Sequence, residues 1–507
     1  MPLFNRTRAS FTRLPLAMLA AFSLVACAPA GGPDRAPTTV GQRSVSDQRL
    51  GDQEHPKILA QFGGEVSNRE LRNYVRTLGK KLAANSEQPE GPWTFTVLDS
   101  PVVNAFALPG GYVYVTRGLV ALANDEAELA GVIGHEIGHV TGAHTAQRQE
   151  RAGIAQLGVL GATILGAVAG LDGQSLKAIN QAGSAIGQGY VANFSRGQEF
   201  QADSLGIRYL ARAGYDPLAQ ADFLASLQAQ AELQSQIAGR QFDPNRVDFF
   251  STHPATPQRV REAIATAKSQ GVAIAEDAPR NQGRFLRVID GMTYGDSAEQ
   301  GFVRDGKFIH PKLRFAFTAP EGFRITNAAQ NVVAAGEGGA GLIFDGARDP
   351  GGDLRRYIQN DWAAGIAKQT RVGRLTDLRN LRIDGLQAAQ AQMPVATNQG
   401  TKLAHFTVIR RDGQLYRFLG LEPQNARGVG AALNRSARSF DSLTPGQARR
   451  YRPYSIDVYT VRRGDTVARL ARKMPFDDFN EERFRVLNSL AAGEELRRGQ
   501  KVKIIRE

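Results

Sequence analysis

The stretch His135-Glu136-Ile137-Gly138-His139 decides how the first half of this sequence is interpreted. Histidines four residues apart lie just over one helical turn apart, so both imidazoles can bind the same metal ion. Glu136 lies about 100° around such a helix, where its carboxylate can activate a metal-bound water without being a ligand. The flanking residues are aliphatic, and burying these three polar side chains among them would be costly without a metal. The stretch therefore predicts a zinc site with Glu136 as the general base.

A catalytic zinc normally takes a third protein ligand, and the sequence offers two candidates. His144 follows the motif by five residues, one short of the metzincin spacing, and we interpret it as structural. Glu199 and Asp203 are four residues apart on a second predicted helix, which ends at Gly214. Glu199 could complete a His-His-Glu site, and Asp203 could accept the remaining N–H of a liganding histidine. A solvated acidic stripe is the alternative for this pair.

Length and composition limit the class of protein. A chain of 507 residues predicts about three domains. An apolar content of 42% with 22% charged residues is typical of globular proteins. A single cysteine excludes an intrachain disulfide and a cysteine-based zinc cluster. The net charge of +13 is spread along the chain, so we expect no nucleic acid partner.

The N-terminal residues have the pattern of a secretory signal. Arg6, Arg8 and Arg13 precede an uncharged apolar run at 14–25. A basic region followed by a short apolar region is typical of a signal peptide, which we assign to residues 1–26.

The end of this signal resembles the lipobox of bacterial lipoproteins. Small residues precede Cys27, whose sulfur would carry the lipid, and Ala28 implies sorting to the outer membrane. An ordinary signal peptide with an incidental cysteine is the alternative. Residues 27–56 are rich in Pro, Gly, Ser and Thr, which predicts a flexible tether.

Several further segments of this sequence accompany the zinc motif. They are residues 104–111 (NAFALPGG), 135–144, 199–203, 214–217 (GYDP) and 251–254 (STHP). Together they resemble the HtpX and CAAX prenyl endopeptidase (Ste24p-like) family of zinc metallopeptidases, in its soluble periplasmic, BepA-like branch. The resemblance implies a gluzincin-type domain over residues 57–275, mainly α-helical with a small β-sheet. It implies one Zn²⁺ per chain, bound by His135, His139 and Glu199, with Glu136 as the catalytic base.

The resemblance also implies a strand edge on which an extended substrate pairs through its backbone. We place this edge near Tyr112, and the residues assigned to it are Asn104, Ala105, Phe106, Gly110, Gly111 and Tyr112.

His253 has two implied roles. It could bind the zinc as an extra ligand and hold the enzyme inactive, or it could donate a hydrogen bond to the oxyanion in the transition state. A structural histidine before Pro254 is the third interpretation. We favour the inhibitory role.

Two further regions contain no group of residues that indicates a reaction. The uncharged run at 152–170 is long enough to span a membrane, but its Gly and Ala content favours a buried or cleft-lining helical hairpin.

Residues 285–445 alternate short apolar runs with turns and one helical segment, which predicts an α+β domain. Its histidines, His310 and His405, are isolated and are interpreted as structural.

The C-terminal residues 455–507 predict a βααβ module. Its turns carry Gly464-Asp465-Thr466, Leu487-Asn488 and Gly499-Gln500, which resemble a LysM module. The resemblance implies binding to N-acetylglucosamine chains such as peptidoglycan. The long charged link at 475–482 departs from the pattern, so an interaction module that binds no sugar is the alternative.

These observations predict a multidomain zinc endopeptidase of the periplasm, anchored in the outer membrane as a lipoprotein. Its substrates would be misfolded or stalled envelope proteins, in outer-membrane protein quality control. One alternative is a latent protease that acts as a chaperone or assembly scaffold anchored to peptidoglycan. The other is a cell-wall amidase.

Overall fold

The computed structural model describes residues 45–144, 194–239, 241–242, 257–269, 278–368, 370–397, 399–426 and 428–507. Several sequence assignments lie outside these residues: the predicted signal peptide, the proposed lipidation at Cys27, the tether as far as residue 44, the run at 152–170, and His253. Among the described residues, no helix is both long and apolar enough to cross a membrane.

The first part of the chain is helical around a small sheet. Its elements are α1 (Val45–Gln61), α2 (Arg69–Ala83), β1 (Thr94–Leu98), β2 (Ala105–Leu108), β3 (Tyr112–Thr116), α3 (Arg117–Leu122), α4 (Glu126–Thr141), α5 (Arg196–Arg212), α6 (Ala219–Ile237), α7 (Pro257–Ser269) and α8 (Gln282–Ile289). The sheet order is β1-β3-β2, with β1 parallel and β2 antiparallel to β3. The predicted helices over the metal motif and over Glu199 are α4 and α5.

Helix α1 corrects the predicted tether. The tether was expected to reach residue 56, but a helix begins at Val45. Ile58 on this helix, and Phe62 directly after its end, pack on the face of the sheet formed by Phe106 and Tyr114. The polar composition of this segment concealed the helix, because its buried positions are Gly51, Glu54 and Gln61 as well as Ile58, so no clear apolar stripe appears in the sequence.

Side-chain caps fix where the functional helices begin. The Asp125 carboxylate accepts from the Glu128 N–H at 2.8 Å at the start of α4. Ser195 and Gln198 form a capping box at the start of α5, with each side chain accepting from the other's backbone N–H. Helix α5 is followed by Gly214 in a left-handed conformation, φ +77°, where the sequence predicted the stop.

The middle of the chain is an α+β assembly. Its elements are β4 (Thr293–Tyr294), β5 (Phe302–Arg304), β6 (Lys307–His310), β7 (Phe315–Thr318), β8 (Arg324–Asn327), β9 (Asn331–Ala335), β10 (Gly341–Arg348), α9 (Leu354–Tyr357), a π-helical turn (Ile358–Trp362), α10 (Ala363–Ala367), β11 (Thr376–Ile383), β12 (Leu386–Thr397), β13 (Gly400–Arg411), β14 (Gln414–Pro423), α11 (Val429–Arg438), β15 (Asp441–Ser442) and α12 (Pro445–Ala448). A seven-stranded sheet, ordered β11-β12-β13-β14-β10-β9-β8, packs against the α9–α10 segment on one face. A four-stranded sheet, ordered β15-β7-β6-β5, and α11 cover its other face.

The C-terminal module has the predicted order of elements: β16 (Tyr454–Thr460), α13 (Val467–Ala471), α14 (Asn480–Leu487) and β17 (Lys501–Arg506). Strand β16 pairs with β17 on one side and with β4 on the other. The apolar side chains of this module belong to the same hydrophobic core as those of α2, α4, α5, α6 and α8. The module is therefore built into the first part of the molecule.

Candidate metal centre and active site

Helices α4 and α5 cross closely because small residues face each other where they touch. A Cβ atom at Gly138 would lie 3.0 Å from the Ala202 carbonyl oxygen, and one at Gly206 would lie 2.9 Å from the His135 backbone nitrogen. Such distances leave no room for a side chain, so glycine is required for the backbones to approach. The crossing brings Glu199, in the first turn of α5, beside the histidines of α4.

The three predicted ligands meet in a geometry that fits a metal ion. The Nε2 atoms of His135 and His139 lie 3.0 Å apart. The Glu199 carboxylate oxygens lie 3.6 Å from His135 Nε2 and 3.5 Å from His139 Nε2. Bonds of about 2.0–2.1 Å in a tetrahedron would place ligand atoms about 3.3–3.5 Å apart. These buried side chains can therefore hold one metal ion, and Glu199 rather than His144 stands in the third position.

Glu136 is buried beside this group. It is 2% exposed and lies next to His135 on α4. Its negative charge acts on the guanidinium of Arg259, which contacts the metal-site carboxylates. The Glu136 carboxylate is therefore sheltered from bulk water.

Asp203 supports His135, as its spacing from Glu199 predicts. Its Oδ1 atom lies 2.8 Å from His135 Nδ1, on the ring edge opposite the metal-facing Nε2. Gln220 Nε2 also donates to Asp203 Oδ1, at 3.1 Å. Burial alone would raise the pKa of Asp203, but the charge of Arg259 holds that pKa below its usual range. Asp203 therefore stays ionised and can accept the His135 proton.

Arg259, on α7, is a site residue that sequence reasoning missed. Its Nε and Nη2 atoms donate to the two oxygens of Asp203, at 2.8 and 2.7 Å. Its Nη1 atom lies 2.8 Å from Glu199 Oε2. The side chain is 3% exposed, so this guanidinium is a buried charge held between two carboxylates. Its only signal in the sequence was its place six residues after His253, which identified no partner.

His144 does not line the metal position. Its Nδ1 atom lies 2.9 Å from His139 Nδ1, the nitrogen on the far side of that ring from Glu199. Phe194 stacks on the His139 ring, with centroids 4.0 Å apart. His144 and Phe194 therefore enclose His139 on the sides away from the metal position.

The predicted substrate edge needs a correction. The strand that begins at Tyr112 is β3, which is the central strand of its sheet. Ala105 and Phe106 lie on β2, which is an edge strand of that sheet. The sequence could not distinguish the two strands, because strand order depends on long-range pairing. Gly110 and Gly111 form the turn between them, at φ +86° and +88°.

Comparison with known families agrees with this geometry. Residues 69–267 match the family model described as peptidase family M48, and residues 459–504 match the LysM domain. The fold and the site thus define a metalloendopeptidase domain, and the chain also carries a LysM domain. The match is to M48 as a whole, so the narrower HtpX and CAAX prenyl endopeptidase assignment stays a prediction.

Individual relatives point to the same class. The chain is 33% identical to the beta-barrel assembly-enhancing protease of Yersinia pestis and 30% identical to that of Escherichia coli strain K12. Each match covers 38% of this chain and 38% of the relative. It is 27% identical to the mitochondrial metalloendopeptidase OMA1 of Schizosaccharomyces pombe, over 43% of this chain and 59% of that protein. This chain therefore matches less than two thirds of the length of these relatives.

Among solved structures, cyanobacterial PsbP from Synechocystis matches 28% of this chain and 96% of its own, at 16% identity and a TM-score of 0.24. A score this low assigns no fold.

Proposed function

We propose that this protein is a zinc-dependent endopeptidase that hydrolyses peptide bonds of misfolded or stalled cell-envelope proteins. The observation that carries the proposal is the buried His135, His139 and Glu199 group, with Glu136 on the same helix. The relatives named beta-barrel assembly-enhancing protease support the choice of substrate class. Quality control of outer-membrane proteins is the role that fits both the residue group and these relatives.

The site residues have separate tasks in this mechanism. His135, His139 and Glu199 would hold the zinc, which when bound polarises the scissile carbonyl and makes a water more acidic. Glu136 would take the proton of that water and pass it to the leaving amine. Asp203 orients His135 and keeps its Nε2 lone pair directed at the metal position.

We propose edge strand β2 as the place where substrate pairs. An edge strand offers backbone donors and acceptors that do not depend on the substrate's side chains. Such pairing selects extended chains, and misfolded proteins expose extended segments. The proposed role of His253 as a self-inhibitory ligand would control access to this site.

The ends of the chain would determine where the enzyme works. We propose a lipid on Cys27 that anchors it to the outer membrane, and a LysM domain, residues 455–507, that binds peptidoglycan. Together, these two attachments would hold the protein in the periplasm. A shallow, open depression of about 470 Å³ lies between the β16–α13 turn and the start of β17, lined by Arg462, Arg463 and Arg498.

The full chain loaded with zinc and incubated with an unfolded outer-membrane protein tests the activity. Glu136→Gln should cleave at least about a hundredfold more slowly, because it keeps the shape of the side chain but cannot take a proton. Equal zinc content of the two proteins is the control. Equal cleavage rates would overturn the role of Glu136.

The same assay separates the rival functions. If neither protein cleaves while zinc is bound, a latent scaffold is favoured, and His253→Ala becomes the deciding variant because it should release an inhibited enzyme. If His253→Ala instead slows a cleaving enzyme, the oxyanion role replaces the inhibitory one. Release of peptidoglycan fragments by the wild type but not by Glu136→Gln would favour the cell-wall amidase.

A further inference from the structure

The turn after α4 places a buried histidine behind the metal ligand His139. Helix α4 ends at Thr141, and Ala143 adopts a left-handed conformation with φ +52°. A residue with a Cβ atom pays roughly 1–2 kcal/mol for that conformation. The turn brings His144 back under the helix, where its side chain is fully buried.

Two hydrogen bonds connect His144 to its neighbours in a line. Its Nε2 atom lies 3.1 Å from Gln201 Oε1, on α5. Its Nδ1 atom lies 2.9 Å from His139 Nδ1. His139 Nε2 in turn faces Glu199 Oε1 at 3.5 Å. The line therefore runs from an amide on one helix, through two rings, to the metal position.

The donors in this line follow from its first member. An amide oxygen can only accept, so His144 Nε2 must carry a proton. In a neutral imidazole the other nitrogen is then an acceptor, so His144 Nδ1 accepts from the Nδ1–H of His139. His139 is thereby left with a lone pair on Nε2, the nitrogen that faces Glu199. A ligand histidine needs this tautomer.

We propose that His144 and Gln201 are positioning residues that fix the tautomer and orientation of His139 for metal binding. This inference rests on the metal site of the proposed function and adds two residues to it. His135 obtains the same tautomer from the carboxylate of Asp203. The two ligand histidines are thus oriented by different means, one by an anion and the other by a neutral pair.

The charge balance of the site favours a neutral pair, His144 and Gln201, behind His139. Among the residues that the structure describes at this site, Glu136, Glu199 and Asp203 bring three buried negative charges, and Arg259 with a divalent ion would bring three positive ones. A carboxylate at position 144 would leave one buried negative charge uncompensated, which is costly. A histidine with an amide behind it supplies the acceptor without adding charge.

Zinc affinity of the full chain, measured by competition with a chromogenic chelator, tests the proposal without any substrate. His144→Leu removes the acceptor and should weaken zinc binding about 10- to 100-fold. His144→Asn can place an amide oxygen near the position of the lost Nδ1 and should recover most of that affinity. Gln201→Leu should lose affinity in the same direction, by a smaller factor.

A spectroscopic readout addresses the tautomer directly. In zinc-loaded protein labelled with ¹⁵N-histidine, His139 should carry its proton on Nδ1, and His144 should carry its proton on Nε2. Gln201→Leu should change the His144 signals while the protein remains folded. A His139 ring protonated on Nε2, or a His144 ring protonated on Nδ1, would overturn the proposal.

Thermal unfolding of the metal-free variants separates positioning from stability. Equal zinc affinity of folded His144→Leu and wild type would overturn the proposal. Equal losses of zinc affinity in His144→Leu and His144→Asn would also overturn it. If His144→Leu does not fold, His144→Asn and Gln201→Leu decide in the same way. Failure of proteolysis with these zinc affinities as expected would count against the proposed function alone.

Discussion

At the scale of single residues, Arg259 is the cation that allows two carboxylates to lie together in the core. Asp203 and Glu199 are both buried, and the guanidinium contacts each of them. Two adjacent anions in a low-dielectric interior repel each other strongly unless a positive charge separates them. In the part of the chain that the structure describes, Arg259 is the cation that lies between them.

We expect Arg259→Met to lower the free energy of unfolding of the metal-free protein by about 3–5 kcal/mol, because it leaves buried charges uncompensated. This loss of unfolding free energy should be smaller with zinc bound, because the charge of the ion would replace part of the charge of Arg259. Denaturant unfolding with and without zinc measures both values.

Arg261→Met is the matched control for that variant. Arg261 lies two residues further along α7 and is exposed, so its loss should change stability by no more than about 0.5 kcal/mol. If the two variants were equally stable, the charge-balancing role of Arg259 would be wrong.

At the scale of elements, the end of α4 is shaped to admit the His144 ring. A Cβ atom at Gly142 would lie 2.6 Å from His144 Nε2, the atom that faces Gln201 Oε1. Glycine at 142 therefore serves the approach of a ring rather than an unusual backbone angle. Ala143 supplies the turn itself at φ +52°.

Two adjacent variants test this arrangement. Gly142→Ala should displace the ring, break its bond to Gln201 and lower zinc affinity in the same direction as His144→Leu. Ala143→Gly removes the cost of the left-handed conformation and should leave zinc affinity unchanged, with stability equal or raised by up to about 1 kcal/mol. Chelator competition and thermal unfolding of both proteins provide the comparison. Unchanged zinc affinity in Gly142→Ala would contradict the role of Gly142 in admitting the His144 ring.

At the scale of the whole molecule, the LysM domain is joined to the peptidase domain by a buried lysine. Lys503 Nζ, on β17, donates to the carbonyls of Ala121, Leu122 and Ala123 at the end of α3, at 2.9, 3.1 and 2.7 Å. Three acceptors match the three protons of an ammonium group at the negative end of a helix. Burial lowers the pKa of Lys503 to about 7, and the nearby Glu128 carboxylate opposes that shift.

Lys503→Met should therefore destabilise the whole protein by about 3–5 kcal/mol, because three buried carbonyls lose their donor and the buried Glu128 carboxylate loses a nearby positive charge. Lys501 lies on the same strand and is exposed, so Lys501→Met should change stability by less than about 0.5 kcal/mol. Chemical denaturation monitored by circular dichroism measures both. Independent unfolding of the LysM domain, with the peptidase domain intact, would show that the shared core does not couple them.

The sequence by itself determined the features that depend on neighbouring residues. The spacing of His135 and His139 placed both on one helix face, and the spacing of Glu199 and Asp203 did the same on the next helix. The turn residues of the C-terminal segment likewise predicted the βααβ order of its module. Each of these follows from helical or strand periodicity, which is a local property of the chain.

Only the tertiary structure decided which distant residues meet. Arg259 is 56 positions from Asp203, and Lys503 is 382 positions from Ala121. The edge position of β2, the packing of α1 on the sheet and the turn of His144 behind His139 also depend on how whole elements pack. Periodicity specifies the face of an element, but the partner of that face depends on the close packing of the entire core.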